Sequence, residues 1–269
     1  MVKKLLKQDF SALLRTLLPM WLILLGIALL TRFVYLFEAD NTTFRIIGGS
    51  SIVALVVAVI VCLVMTEVLC IVRFYRNLYS SEGYLTFALP ATHAEHLWSK
   101  LISSMAVTFA SVLVTLLAGV AATSFDMLAE LLRLLAYFWK NAYREIGADL
   151  PIYVAEYLLL LITAISAFYL LLYTCITIGQ MAKKNRILAA FGVYFAYYMI
   201  MQILSVILMI LLTVFMATDS FLVLSEWIEN HPWSTVHIAL IASLVFSVVW
   251  NGFCWLLTHR LMKKKLNLE

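Results

Sequence analysis

Six uninterrupted apolar runs dominate this chain, at roughly 17–37, 50–72, 101–124, 152–180, 187–217 and 237–258. Each matches or exceeds the roughly 20 residues that a helix needs to cross the hydrocarbon core of a bilayer. Barrel strands would instead alternate apolar and polar side chains over about 10 residues. The runs do not alternate, and only a helix satisfies its own backbone polar groups in hydrocarbon. The expected fold is therefore all-α, a polytopic membrane protein with six transmembrane helices in a single transmembrane domain covering 1–269. A composition that is 64% hydrophobic and 13% charged excludes a soluble domain. The fourth and fifth runs, at about 29 and 31 residues, exceed the usual span and are expected to tilt, kink or protrude.

Basic residues orient these spans. Of the 19 Lys and Arg, only Arg32, Arg45, Arg133, Lys140 and Arg144 fall on one side, and the other fourteen fall on the opposite side. The positive-inside bias puts both termini in the cytoplasm. The net charge of +4 then describes a basic face beside anionic lipid, and nothing in it points to nucleic acid. The first run is too long for a signal-peptide core and reads as a retained span.

The connecting segments carry their own patterns. In 3–18, Lys4, Lys7, Ser11 and Arg15 share one helical face, and Leu6, Phe10, Leu13, Leu14 and Leu17 share another. This is either an interfacial helix over 1–18, with Pro19 marking the bend into the first span, or simply a basic tail. In 125–150, Asp126, Glu130, Arg133, Tyr137, Lys140 and Arg144 recur at steps of three and four. That stripe predicts an outer interfacial helix, which either lies on lipid or caps the bundle. The tight turn at 182–186 makes the fourth and fifth spans antiparallel neighbours. A short, partly buried helix is expected within 219–236. No internal repeat is evident.

Side chains able to do covalent chemistry are few. Glu67, Gln202 and Asn251 are the intramembrane polar candidates, with Gln180 beside them. The amides fit interhelical hydrogen bonds. Glu67 is expected to pair with Lys100 or Lys183 rather than to carry a proton, although intramembrane carboxylates are often functional. His93 and His96 share a helical face as a metal pair would, but Thr92 and Glu95 in the same stretch form a capping-box pattern that starts the third span. Cys62, Cys70, Cys175 and Cys254 all lie within spans and read as packing residues. There is no zincin motif, nucleophile elbow, dinucleotide loop or Walker A sequence. No catalytic residue, metal or cofactor site is assigned, and the chain is not expected to be an enzyme.

The segment 73–100 reads R-F-Y-R-N-L-Y-S-S-E-G-Y-L-T-F-A-L-P-A-T-H-A-E-H-L-W-S-K. Arg73 and Arg76 mark the inner boundary of the second span. Gly83 can supply a left-handed residue that ends this helix. Tyr84 to Leu89 is an apolar strip expected to be extended ahead of Pro90, beside the charge of Glu82. Such a strip is either a docking patch or a well-packed hairpin that binds nothing.

This segment, with L-W-S-K-L after it, resembles the link between the second and third spans of bacterial ABC-2 type permeases, the membrane subunits of ATP-binding-cassette exporters. It is especially similar to small permeases of Gram-positive anaerobes. The motif covers about thirty residues, and the six-span layout extends the likeness more weakly over the chain. The resemblance implies a type-V exporter half in a bacterial cytoplasmic membrane. Its partners would be ABC ATPase subunits, which hold ATP and magnesium, and a second permease copy or a related chain. Arg73, Arg76, Glu82, Gly83, Tyr84, Leu85, Leu89 and Pro90 would form the ATPase-coupling element. The cargo would be amphipathic, lipid-like or a peptide. The long segment 125–150 departs from the simplest members of that family. The alternatives are a self-sufficient ion-coupled carrier, for which Glu67 or Glu156 would titrate, and an accessory or sensor subunit without a transport path.

Overall fold

The computed structural model describes residues 2–36, 42–80, 82–87, 90–123, 125–182 and 184–264. Leu89 and Lys183 lie outside the described residues, as do the side chains of Glu82 and Leu85. The described residues are almost entirely helical, and six of the helices are long and apolar enough to cross a membrane. The protein is a multi-pass, all-α membrane protein. It divides into two compact units, Met1–Ala142 and Tyr143–Glu269.

The first unit is built on α1 (Val2–Leu36), α2 (Thr42–Tyr79) and α4 (His93–Ala122), with the six-residue α3 (Glu82–Phe87) between the last two. α1 packs on both α2 and α4, running antiparallel to the first and parallel to the second. Leu24, Ala28, Cys62 and Ala118 form its core, flanked by Trp21, Leu55 and Val59. Small residues here let the backbones approach, which matters because lipid offers no hydrophobic drive between helices.

α1 continues as one helix through Pro19, from Val2 to Leu36, with Leu13, Leu17 and Leu24 buried on either side of it. Two expectations are corrected in this unit. Gly83 does not adopt the left-handed conformation; among the described residues the only glycine with positive φ is Gly147. Gly83 instead sits within α3, its N–H donating to the Ser80 carbonyl at 2.8 Å. The strip after it is accordingly helical to Phe87 rather than extended, because the steric restriction of Pro90 reaches only the residue before it. The capping box at the start of α4 is present. Glu95 N–H donates to Thr92 Oγ1 at 3.2 Å, and Thr92 N–H donates to Glu95 Oε2 at 2.8 Å.

α5 (Phe125–Ile146) carries the predicted polar stripe and spans the boundary between the units. Leu131, Leu132, Leu134, Leu135, Phe138 and Trp139 on it are all exposed. A 3-10 turn at Gly147–Asp149, opened by Gly147 at φ 76°, leads into the second unit.

That unit comprises α6 (Leu150–Gly179), α7 (Arg186–Met216), α8 (Asp219–Asn230) and α9 (Pro232–Lys264). α6 runs parallel to α9 along its length and antiparallel to α7, as the short turn required. Asn185, left-handed at φ 53°, turns the chain into α7; Asn tolerates this conformation better than most residues. α8 is helical as expected but has no buried residue. Each unit thus follows one order: two spans, a short helix, a third span parallel to the first.

α6 and α7 meet where Gly179 faces Ala190. A Cβ on Gly179 would lie 2.5 Å from the Ala190 backbone nitrogen and 2.6 Å from its Cα. Neither atom can yield without moving α7. Gly179→Ala is therefore expected to destabilise the second unit by about 1–3 kcal/mol, read as a lowered melting temperature of the purified protein in mild detergent.

Candidate functional site

A constellation of charged side chains gathers at one end of the first unit. Asp9 on α1 is buried, on the same face as Leu13 and Leu17 at steps of four. Its Oδ1 accepts from Lys100 Nζ of α4, from Arg73 Nη2 of α2 at 3.3 Å and from Asn77 Nδ2 of α2 at 3.4 Å. Its Oδ2 accepts from Ser99 Oγ at 3.0 Å. The Lys100 and Asp9 side chains are only 6% and 7% exposed, so this pair is shielded from solvent screening. One carboxylate thereby ties three helices together at their ends. His96, one turn before Lys100, is also buried.

The expected pairing of Glu67 with Lys100 is not formed. Lys100 turns to Asp9, which approaches from α1 at the same level, whereas Glu67 faces the next turns of α4. Thr108 Oγ1 donates to Glu67 Oε1 at 3.2 Å, and Glu67 Oε2 is buried without a hydrogen-bond partner. One turn along α4, Ser111 Oγ receives Trp21 Nε1 at 3.1 Å and lies 2.9 Å from Thr66 Oγ1. A ladder of hydroxyls thus runs beside the carboxylate through the apolar part of the unit.

In the second unit, Asn251 on α9 does what an intramembrane amide is expected to do. Its Nδ2 donates to the Thr163 carbonyl on α6 at 2.9 Å, and its Oδ1 accepts from Ser166 Oγ at 3.1 Å. Thr174 and Thr258 add a hydroxyl pair at 2.8 Å between the same helices. Near the other end, His237 Nδ1 lies 2.8 Å from Glu156 Oε1. Gln180 and Gln202 depart from the expectation. The Gln180 amide is buried with neither atom hydrogen-bonded, and Gln202 is exposed on α7, a helix with no buried residue.

The proposed coupling residues divide. Arg73 points inward to Asp9, whereas Arg76 is exposed one turn further on. Both line a cleft between α1 and α2. Gly83 is buried within α3, Tyr84 is 55% exposed beside it, and Pro90 is exposed. Among the described residues no group of three or more His, Cys, Asp or Glu side chains could hold a metal ion. All four cysteines are buried, and none of them forms a disulfide.

Asp9 and Asn77 were not singled out in the sequence. The signal was available, since Asp9, Leu13 and Leu17 share a face and an acid on an apolar face needs a buried cation. Removing the charge takes the Asp9 carboxylate away from the buried Lys100 and from Arg73. Asp9→Asn is expected to destabilise the first unit by about 3–5 kcal/mol, measured by thermal or denaturant unfolding in detergent. No protein-family model, curated protein or solved structure matches this chain.

Proposed function

We propose that this chain is the membrane-spanning permease subunit of an ATP-binding-cassette exporter in a bacterial cytoplasmic membrane, with both termini on the cytoplasmic side. The observation that carries the reading is α3, a six-residue helix set between two long spans and packed on the end of α2, with Tyr84 exposed on it. A short helix in that place is suited to receive a push from a soluble partner and pass it to α2. Its sequence is the one that resembles the ABC-2 coupling segment.

In this reading, ATPase subunits hold ATP and magnesium, and the permease works as a pair of copies or beside a related chain. Closure of the ATPase dimer displaces α3. Arg73, through Asp9, carries the displacement to α1 and α4. Arg76, Glu82, Gly83, Tyr84, Leu85, Leu89 and Pro90 shape the docking element and do no covalent chemistry. The exposed apolar residues of α5 suit the lipid-lying form of that helix. Sparse intramembrane charge suits an amphipathic, lipid-like or peptide cargo. Purification of the tagged chain from its native membrane is expected to recover a Walker-A-containing ATPase in equimolar amount, and Tyr84→Ala to lose it while the permease still inserts. A single-chain preparation with no ATPase contradicts the reading.

One observation favours a second reading, an ion-coupled carrier. Glu67 places a buried, unpartnered carboxylate oxygen beside Thr108 inside a span, and such groups commonly serve ion or proton paths. On that reading Glu67→Gln abolishes transport driven by a proton gradient in vesicles without ATP. On the exporter reading transport in such vesicles is absent from the outset.

A further inference from the structure

The cleft between α1 and α2 has a volume of about 160 Å3, with Thr16, Arg73, Arg76 and Asn77 as its polar lining and Leu69 and Val72 among its apolar walls. Leu69 and Val72 stand four residues before Arg73 and Arg76 respectively, so one face of α2 passes from apolar to basic within two turns. The change falls where both helices leave their apolar runs: that of α1 begins at Leu17, after Thr16, and that of α2 ends at Val72. A lipid lying there would have its acyl chain along Leu69 and its headgroup at the arginines.

The donors of the cleft point to an anion. Arg73 reaches Asp9 through Nη2, while its Nε is buried without a hydrogen-bond partner, a state that is expensive for a guanidinium donor. A phosphate oxyanion is acceptor-only, and its geometry matches the planar donor fork of arginine better than it matches a lysine. Basic pockets between spans at the membrane boundary are suited to such headgroups.

We propose that this cleft binds a phosphate oxyanion, supplied by the headgroup of an anionic phospholipid. The inference rests on membrane embedding and not on ATP-driven export, so it stands or falls apart from the exporter reading. The test titrates the full-length protein, in neutral detergent, with phosphatidylglycerol, phosphatidylcholine or inorganic phosphate, and reads binding by native mass spectrometry. Phosphatidylglycerol is expected to bind more tightly than phosphatidylcholine. Arg76→Gln should weaken phosphatidylglycerol binding about fivefold, as expected for one charge near a headgroup. Thr16→Val should weaken it by a smaller factor, and Lys263→Gln, in the other unit, should leave it unchanged. Because Thr16 and Arg76 are both exposed, their variants can be checked for unaltered melting without lipid. Inorganic phosphate that displaces phosphatidylglycerol, and loses this ability in Arg76→Gln, supports the oxyanion site with a soluble anion as its source. Equal binding of both lipids, or equal phosphatidylglycerol binding by wild type and Arg76→Gln, overturns the proposal.

Discussion

Within a bilayer, lipid tails are as apolar as leucine, so helices gain nothing from hiding apolar surface against one another. What holds them in register is close packing and the polar contacts that lipid cannot replace. In the first unit that role falls on the Asp9 carboxylate, which takes Lys100 of α4 and Arg73 and Asn77 of α2 on one oxygen and Ser99 on the other. A buried ion pair adds little net stability over an apolar substitute, but it penalises every arrangement that separates its members. Asp9 therefore specifies how α1, α2 and α4 meet more than it strengthens their meeting. Further along, the Trp21, Ser111 and Thr66 contacts keep the same three helices in step.

The second unit solves the same problem without charge along most of its length. Asn251 and the Thr174 and Thr258 hydroxyls link α6 to α9, and Gly179 lets α7 come close to α6. Each unit orders two spans, a short helix and a third span parallel to the first.

Hydropathy made the six spans legible, since 20 consecutive apolar residues admit few folds. The capping box at Thr92 and Glu95 and the polar stripe of α5 were equally legible, because each is a local pattern with a fixed period. The partner of Lys100 was not, because the choice between Glu67 and Asp9 depends on which turn of a different helix lies at its level. Gly83 misled for a related reason: a glycine permits a left-handed turn without requiring one, and the break before α3 was made at Ser80 instead. Function was the least legible, because on the exporter reading the chain would work by moving helices and would need no motif of reactive side chains. Only the 73–100 segment carries a pattern specific enough to suggest a partner.

The central structural claim is that Asp9 and Lys100 act as one unit that fixes three helices. A double-mutant cycle over Asp9→Asn and Lys100→Met, read as unfolding free energy in mild detergent, tests it most directly. Residues in contact are expected to couple, with a deviation from additivity of up to about 3 kcal/mol, and the double variant should be more stable than Asp9→Asn alone. Additivity within about 0.5 kcal/mol would mean that the two side chains do not depend on each other, and would contradict the account.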